Sequence, residues 1–190
     1  MTAPNRFASR LSNRTLSRGY TLIEVLVVIT ILGIAGALVI PSLGQTHVLR
    51  VQAAVRTIVS DITYAQSDAL AFQSGRAIVF DPDTNSYRLV EVTGITLDPV
   101  NDTLYDPTGP GQQYVVSLED PRFGGATMQD ADFDGGVTLI FDEMGGPVVA
   151  PGSNVLSTGG SIDVAGPGTL YRIHVAAFSG KVTVEQIDVP

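Results

Sequence analysis

The sequence predicts an α+β fold in which one long N-terminal α-helix packs on an antiparallel β-sheet or sandwich. Three observations predict it: an uncharged apolar run after residue 24, an apolar stripe at helical spacing that continues to about residue 72, and short β-rich runs separated by turns in the remainder. At 190 residues, the chain has room for one modest globular domain besides the helix.

Four segments follow from this pattern. We expect residues 1–19 to form a basic leader, residues 20–49 a transmembrane and assembly helix, residues 50–74 the amphipathic half of the same helix, and residues 75–190 a β-rich domain. The leader carries Arg6, Arg10, Arg14 and Arg18 and no acidic residue. Because basic residues stay on the cytoplasmic side of a membrane, everything beyond the helix should be exported.

The apolar run, residues 25–49, contains no Asp, Glu, Lys or Arg. At about 1.5 Å per residue, a helix of this length could cross a hydrocarbon core about 30 Å thick. Glu24 stands just inside its N-terminal edge, where a charge usually needs a partner or a function to compensate for its burial in lipid. A bland alternative is that Glu24 only faces the positive end of the helix dipole. Pro41 should kink or loosen this helix.

Beyond the apolar run, apolar residues recur at alternating spacings of three and four, which indicates one stripe on an amphipathic helix. Such a stripe needs an apolar partner, and a sheet of the same chain fits better than a coiled-coil dimer. The stripe consists of Val48, Val51, Val55, Ile58, Ile62, Ala65, Ala69 and Phe72.

Gly75 is the predicted helix stop, and the hydrophobic period then changes. Residues 76–80 and 86–93 flank an Asp-Pro-Asp-Thr-Asn turn and predict a hairpin. We expect long loops at 94–113 and 120–136, and further strands at 114–118, 137–141, 161–164, 170–176 and 181–187.

The run Arg18-Gly19-Tyr20-Thr21-Leu22-Ile23-Glu24 before the apolar segment resembles the signature of the type IV prepilin family. The resemblance implies that a prepilin peptidase cuts after Gly19 and methylates the new amine of Tyr20. It also implies that Glu24 neutralises the amine of a neighbouring subunit, since an unpaired charge in an apolar helix bundle is costly. The helix would stay in the mature product, whereas a secretory signal would be removed.

The order of helix, hairpin, loop-rich middle and closing strands resembles the GspH/FimT type of minor pilin-like protein. This implies a minor pseudopilin of a type II secretion pseudopilus, assembled through its N-terminal helix, and the absence of Cys favours a pseudopilin over many pilins. Expected partners are the prepilin peptidase, other pseudopilins or pilins, the inner membrane and exported protein cargo. The protein would be single-pass in the bacterial inner membrane, with a periplasmic domain, before it joins the pseudopilus. The alternatives are a minor pilin of a type IV pilus and a membrane-tethered ligand- or calcium-binding module.

The mature part is strongly acidic. After the leader, seven basic residues stand against 19 acidic ones, and 7 − 19 gives a formal net charge of −12. Scattered cations and this acidity argue against a nucleic-acid partner, because such binding relies on clustered Lys and Arg. No nucleophile-base arrangement or phosphate loop is indicated, so we expect neither an enzyme nor a cofactor.

One motif suggests a metal. Asp130, Asp132 and Asp134 alternate and precede Gly135, as at the start of a calcium loop. The closing bidentate Glu is missing, because Phe141 stands at its position. A solvated acidic turn is therefore favoured over a calcium site.

Overall fold

The computed structural model describes residues 19–187, except for the side chains of residues 37–47. The predicted leader, apart from Gly19, lies outside the described residues, and so does the side chain of Pro41 with its predicted kink. The chain divides into two compact units, Met1–Pro41 and Ser42–Pro190. One helix, α1, runs from Leu22 to Phe72 and contributes to both.

In the first unit, the described part of α1 exposes apolar side chains in every direction. Leu22 is 84% exposed, Ile29 60% and Leu32 64%. Over the described residues, no helix is both long enough and apolar enough to cross a membrane. The predicted span at residues 25–49 includes the eleven positions whose side chains are not described, and it stays a prediction.

The second unit consists of the remainder of α1 and two antiparallel sheets, which confirms the predicted α+β class. The five-stranded sheet has the order β3-β2-β1-β5-β6, and the four-stranded sheet has the order β4-β7-β8-β9. The strands are β1 Arg76–Asp81, β2 Ser86–Glu91, β3 Val115–Ser117, β4 Thr127–Phe133, β5 Thr138–Phe141, β6 Pro147–Val148, β7 Gly159–Gly166, β8 Thr169–Ala176 and β9 Val182–Ile187. Two short 3-10 turns, Pro110–Gln112 and Pro121–Phe123, lie in the loops.

The predicted apolar stripe is the face of α1 that enters the core. Six of its eight members are at most 4% exposed, and they share one core cluster with residues of both sheets, including Leu89 and Ile162. Val48 is half-buried and Phe72 is 70% exposed, so the stripe is buried over a shorter length than predicted. Packing of the amphipathic half on its own domain is thereby confirmed.

The predicted helix stop at Gly75 is wrong. α1 ends at Phe72, and the left-handed residue that follows is Gln73, with φ 49°. Gly75 instead allows a close approach between segments, because an added Cβ would lie 2.9 Å from Cβ of Val92. A glycine near a helix end is thus a spacer here rather than a cap.

The hairpin prediction is confirmed. β1 and β2 pair in register from Arg76↔Glu91 to Asp81↔Ser86. The Asp81 carboxylate accepts hydrogen bonds from the N–H groups of Asp83 and Thr84, both at 3.1 Å, and Asn85 closes the turn with φ 50°. These are the positions at which Asp and Asn favour turns.

The prediction of one loop over residues 120–136 is wrong, because it contains β4. Met128, Ala131 and Phe133 of this strand are buried, and β4 pairs with β7 across a bulge between Met128 and Asp130. The acidic residues between them read as a loop in the sequence but form the exposed face of the strand. The loop at residues 94–113 is confirmed, although it is partly tied to β2 by a hydrogen bond from Leu104 N–H to Leu89 O at 2.8 Å.

Candidate functional site

The site predicted at the N-terminus is exposed in the part of the chain that the structure describes. Gly19 and Tyr20 precede α1 without regular secondary structure, and Tyr20 is 82% exposed. Apart from its chain neighbours, no residue of the described chain lies within 4 Å of a Cβ added at Gly19. Among the described residues, the peptide bond between Gly19 and Tyr20 is therefore exposed.

Thr21 fixes where the helix starts. Its hydroxyl oxygen accepts a hydrogen bond from Glu24 N–H at 3.2 Å, and its carbonyl oxygen accepts one from Val25 N–H at 3.2 Å. A Thr at the N-cap with Glu three residues later is the pattern of a capping box. The Thr-x-x-Glu spacing carried this signal in the sequence, and our sequence analysis missed it. The cap keeps the Gly19–Tyr20 bond outside the helix.

Glu24 lies in the first turn of α1 with its side chain exposed. An anion at this position is favoured by the positive end of the helix dipole. The neighbouring side chains Ile23 and Val25 are also exposed and are apolar. Glu24 therefore presents a carboxylate, four residues after Tyr20, on a surface that is otherwise apolar.

A polar cluster that the sequence analysis missed lies in the core of the second unit. Asp61, which is not a member of the predicted apolar stripe, is only 6% exposed. Its carboxylate accepts hydrogen bonds from the hydroxyl groups of Tyr87 at 2.5 Å and Tyr114 at 2.9 Å. Burial raises the pKa of Asp61 despite these bonds, and the desolvated site together with the nearby carboxylate raises the pKa of both tyrosines. The cluster joins α1 to the five-stranded sheet.

A second buried polar contact lies at the end of α1. Arg76 on β1 is 5% exposed, and its Nε donates to the Asp68 carboxylate at 2.5 Å. The same guanidinium also donates to the carbonyl oxygens of Ser74 and Gly75, at 3.3 and 3.0 Å. These bonds satisfy the charge on Arg76 and link the helix end to the first strand.

Two amides connect the sheets to each other. The Gln66 carboxamide on α1 donates to Gly145 O at 2.8 Å and to Ser179 O at 2.9 Å, and these carbonyls belong to the β5–β6 and β8–β9 turns. Asn85, in the β1–β2 turn, accepts from Met128 N–H at 2.8 Å and donates to Ala126 O at 3.0 Å. Each amide therefore ties a turn of the five-stranded sheet to the four-stranded sheet.

The three aspartates of the calcium prediction do not form a calcium loop. Asp130 and Asp132 are exposed on strand β4, and Asp134 follows the strand and accepts hydrogen bonds from Thr158 N–H at 2.9 Å and Thr158 Oγ1 at 2.7 Å. Among the described residues, no group of three or more His, Cys, Asp or Glu side chains is placed to hold a metal ion. The favoured prediction of a solvated acidic turn is wrong for Asp130 and Asp132, which lie on a strand, and it holds for Asp134 in the turn that follows; the calcium alternative stays a prediction.

Comparison with known proteins identifies the N-terminal region. Residues 14–40 match the family model described as the prokaryotic N-terminal methylation motif. No curated protein matches the chain. Among solved structures, the fold is similar to that of the minor pseudopilin EpsH from the Type 2 Secretion System of Vibrio cholerae, with a TM-score of 0.48 and 11% sequence identity over 72% of this chain and 96% of that chain. The chain thus carries the prokaryotic N-terminal methylation motif that is characteristic of prepilin-like proteins.

Proposed function

We propose that the chain is a minor pseudopilin: a structural subunit, not an enzyme, that a prepilin peptidase processes after Gly19 and that assembles into a pseudopilus through its N-terminal helix. The observation that carries the proposal is the accessible Gly19–Tyr20 bond immediately before a capped helix, inside the matched methylation motif. Cleavage there would leave α1 as the N-terminal element of the mature subunit.

The charge on Glu24 supports assembly through this helix. Cleavage would create a cationic amine at Tyr20, and subunits packed side by side would place that amine in an apolar environment. The exposed Glu24 carboxylate of a neighbouring subunit could neutralise it, since paired charges in an apolar medium cost far less free energy than isolated ones.

The apolar surface of the first unit supports a membrane-inserted precursor. Exposed side chains such as Leu22, Ile29 and Leu32 would be unfavourable in water over so long a stretch, and both lipid and a bundle of like helices would cover them. In the inner membrane the leader would face the cytoplasm, and the second unit would face the periplasm. Other pilin-type subunits and exported cargo would then be accessible to the second unit.

The N-terminus of the mature chain tests the proposal. The full chain is expressed with and without a prepilin peptidase, and mass spectrometry defines the first residue. We expect a chain that begins at N-methylated Tyr20 only when the peptidase is present. Gly19→Val should block cleavage without disturbing the fold, because the space around Gly19 is open. An uncut chain in the presence of active peptidase, or a cut elsewhere, would refute the proposal.

Assembly is tested separately. Glu24→Ala should still be inserted and cleaved but should enter filaments poorly. Glu24→Asp should be incorporated into filaments to an intermediate extent. Normal incorporation of Glu24→Ala would contradict the pairing role. Expression beside secretion-system subunits or beside the subunits of a type IV pilus distinguishes the two machines, and incorporation into the pilus alone would assign the chain to the alternative.

A further inference from the structure

The two sheets have four edge strands, and three of them are protected against pairing with another chain. β3 has three residues and β6 has two, which is too short for a stable ladder. β4 has seven residues, but a bulge interrupts it and the exposed carboxylates of Asp130 and Asp132 repel an approaching strand. Short edges, bulges and charges are the devices by which proteins avoid edge-to-edge association.

β9 is neither short nor interrupted by a bulge, and it carries a single charge. It has six residues, Val182–Ile187, and in the described part of the chain it pairs with β8 alone and in regular register. Glu185 is its only charged residue. Its exposed edge therefore offers a complete row of backbone donors and acceptors to a further strand.

The inner face of β9 is also incompletely covered. Val184 is 46% exposed, although its cross-strand partner Ile173 is fully buried. Val184 borders an open groove of about 490 Å³ between the sheet edge and α1. Its helix side is lined by the apolar Val55 and Val59 and by the polar Gln52, Arg56 and Ser60. A strand added to β9 would place apolar side chains over this groove.

Hydrogen bonding within the sheet shows which residues face the free edge. Ala176 N–H donates to Lys181 O at 2.9 Å, so Lys181 directs its backbone toward β8. Backbone direction alternates along a strand in an antiparallel ladder. Thr183 and Glu185 therefore also face β8, whereas Val182 and Val184 direct their N–H and C=O groups outward.

We propose that β9 pairs antiparallel with β9 of a second copy of this chain, about a two-fold axis at Thr183. In this register, Val182 of each copy exchanges backbone hydrogen bonds with Val184 of the other. Lys181 of each copy lies opposite Glu185 of the other, which forms two ion pairs on the outer face. The four-stranded sheets then join into one sheet of eight strands.

Charge selects this register among the symmetric ones. Lys181 is the only lysine of the chain, and it stands two residues before Thr183, as Glu185 stands two residues after it. An axis at Val184 would place Glu185 opposite Thr183, and an axis at Glu185 would place the two carboxylates opposite each other. Opposite charges across neighbouring strands stabilise the pairing, and like charges destabilise it.

Single cysteines test the pairing in the full chain, which contains no cysteine of its own. Thr183 would be a non-hydrogen-bonded pair with its symmetry mate, with Cα atoms about 4.5 Å apart, a separation that allows a disulfide. In membranes of expressing cells, Thr183→Cys should form a disulfide-linked dimer on mild oxidation. Thr127→Cys, at another exposed threonine, on β4, is the matched control and should stay monomeric.

The register is tested by two further variants. Lys181→Cys and Glu185→Cys should each cross-link poorly when expressed alone and efficiently when co-expressed, because they would lie opposite each other only between copies. Charge reversal gives an independent readout: Lys181→Glu and Glu185→Lys should each lower the yield of the Thr183→Cys dimer several-fold, and their combination in one chain should restore it.

Two results would overturn the proposal. One is a yield from Thr183→Cys no higher than that from Thr127→Cys, and the other is efficient cross-linking of Lys181→Cys or Glu185→Cys with itself. Repeating the cross-link in the Gly19→Val background separates this inference from the proposed function, because strand pairing does not require cleavage of the leader.

Discussion

The hydroxyl of Tyr87 donates a 2.5 Å hydrogen bond to the carboxylate of Asp61, and both side chains are almost completely buried between α1 and the five-stranded sheet. A buried carboxylate is tolerated when its oxygens have donors, and here Tyr114 supplies the second one. This relationship explains why a charged residue occurs on the core side of the helix.

Tyr87→Phe should therefore destabilise the protein. The change leaves the ring in place but removes one donor from a buried charged group, which costs about 1.5–3 kcal/mol of unfolding free energy. Urea unfolding of the full chain in detergent measures the loss. Tyr105→Phe is the matched control, since Tyr105 is 68% exposed, and its unfolding midpoint should not change. Equal effects of the two variants would show that the Asp61 bond contributes nothing.

The pH dependence of Asp61 should have an unusual sign for a carboxylate. Burial raises its pKa above the ordinary value of 3.8, so the folded state holds the proton more tightly than the unfolded state. The resulting contribution to stability is fully present below the unfolded pKa and is lost as pH rises through the folded pKa. We expect the melting temperature of the wild type to rise relative to that of Asp61→Asn as pH is lowered through this window.

Asp98 provides the opposite case. Hydrogen bonds from the side chain and backbone of Asn101 and from the Val100 N–H lower its pKa. Its contribution is present above the unfolded pKa and is lost as pH falls through the folded one. The wild type should therefore lose stability relative to Asp98→Asn on acidification. If the melting temperature of the wild type changed in the same direction relative to Asp61→Asn and to Asp98→Asn as pH falls, the assignment would be contradicted.

The Gln66 side chain should stabilise two turns at the same time. Gln66→Ala removes the donors to Gly145 O and Ser179 O and should cost about 1–3 kcal/mol, because each bond between neutral groups contributes about 0.5–1.5 kcal/mol. Hydrogen exchange should accelerate at residues 142–146 and 177–181 together. Gln66→Glu keeps the size but not the donors, and it should behave in the same way. Faster exchange in one turn alone would show that the amide does not couple them.

Alanine substitutions at two glycines distinguish the effect of backbone strain on stability from the effect of side-chain packing. Gly168 and Gly180 have left-handed φ values of 72° and 63°, so an alanine at either position costs about 1 kcal/mol. A Cβ at Gly180 would also lie 2.9 Å from Cε1 of Phe141, whereas a Cβ at Gly168 meets nothing within 4 Å. Gly180→Ala should therefore be the more destabilising change, and it should lower the free energy of unfolding by about 1–3 kcal/mol more than Gly168→Ala does. Calorimetric melting compares the two, and equal losses would show that the turn gives way freely.

Thr21 should affect processing through the helix start. Thr21→Val keeps the shape of the side chain but removes the cap to Glu24 N–H, which costs about 0.5–2 kcal/mol of helix stability. We expect Thr21→Ser to be cleaved like the wild type. In a time course, cleavage of Thr21→Val should proceed with more than one rate constant. Identical rates for both would mean that the peptidase does not sense the cap.

The periodic spacing of apolar residues predicted those elements whose burial depends on apolar side chains. The stripe from Val51 to Ala69 and the hairpin at residues 76–93 were read correctly because burial there depends on apolar side chains at regular spacing. The burial of Asp61 was not predicted, because a carboxylate is polar and the two tyrosines that donate to it are distant in sequence. β4 was missed for a related reason: its exposed Asp130 and Asp132 resemble a loop unless the pairing with β7 is known.

The N-terminal site shows the same division. Gly19, Tyr20 and Glu24 could be proposed from the sequence because they belong to a compact linear motif, which lies within the matched residues 14–40. The cap by Thr21 was equally local and could have been predicted from its spacing to Glu24. Gln66 could not, because its acceptors lie 79 and 113 residues away and are backbone carbonyls, which any sequence supplies.

The attachments made by Asp61, Gln66 and Asp68 bear on how the second unit withstands mechanical load. All three side chains project from one stretch of α1, and their partners lie on β2, on two separate turns and on β1. A pull along this stretch would strain every attachment in parallel rather than one after another. The domain should accordingly yield to force in a single step at high tension, although no covalent cross-link reinforces it.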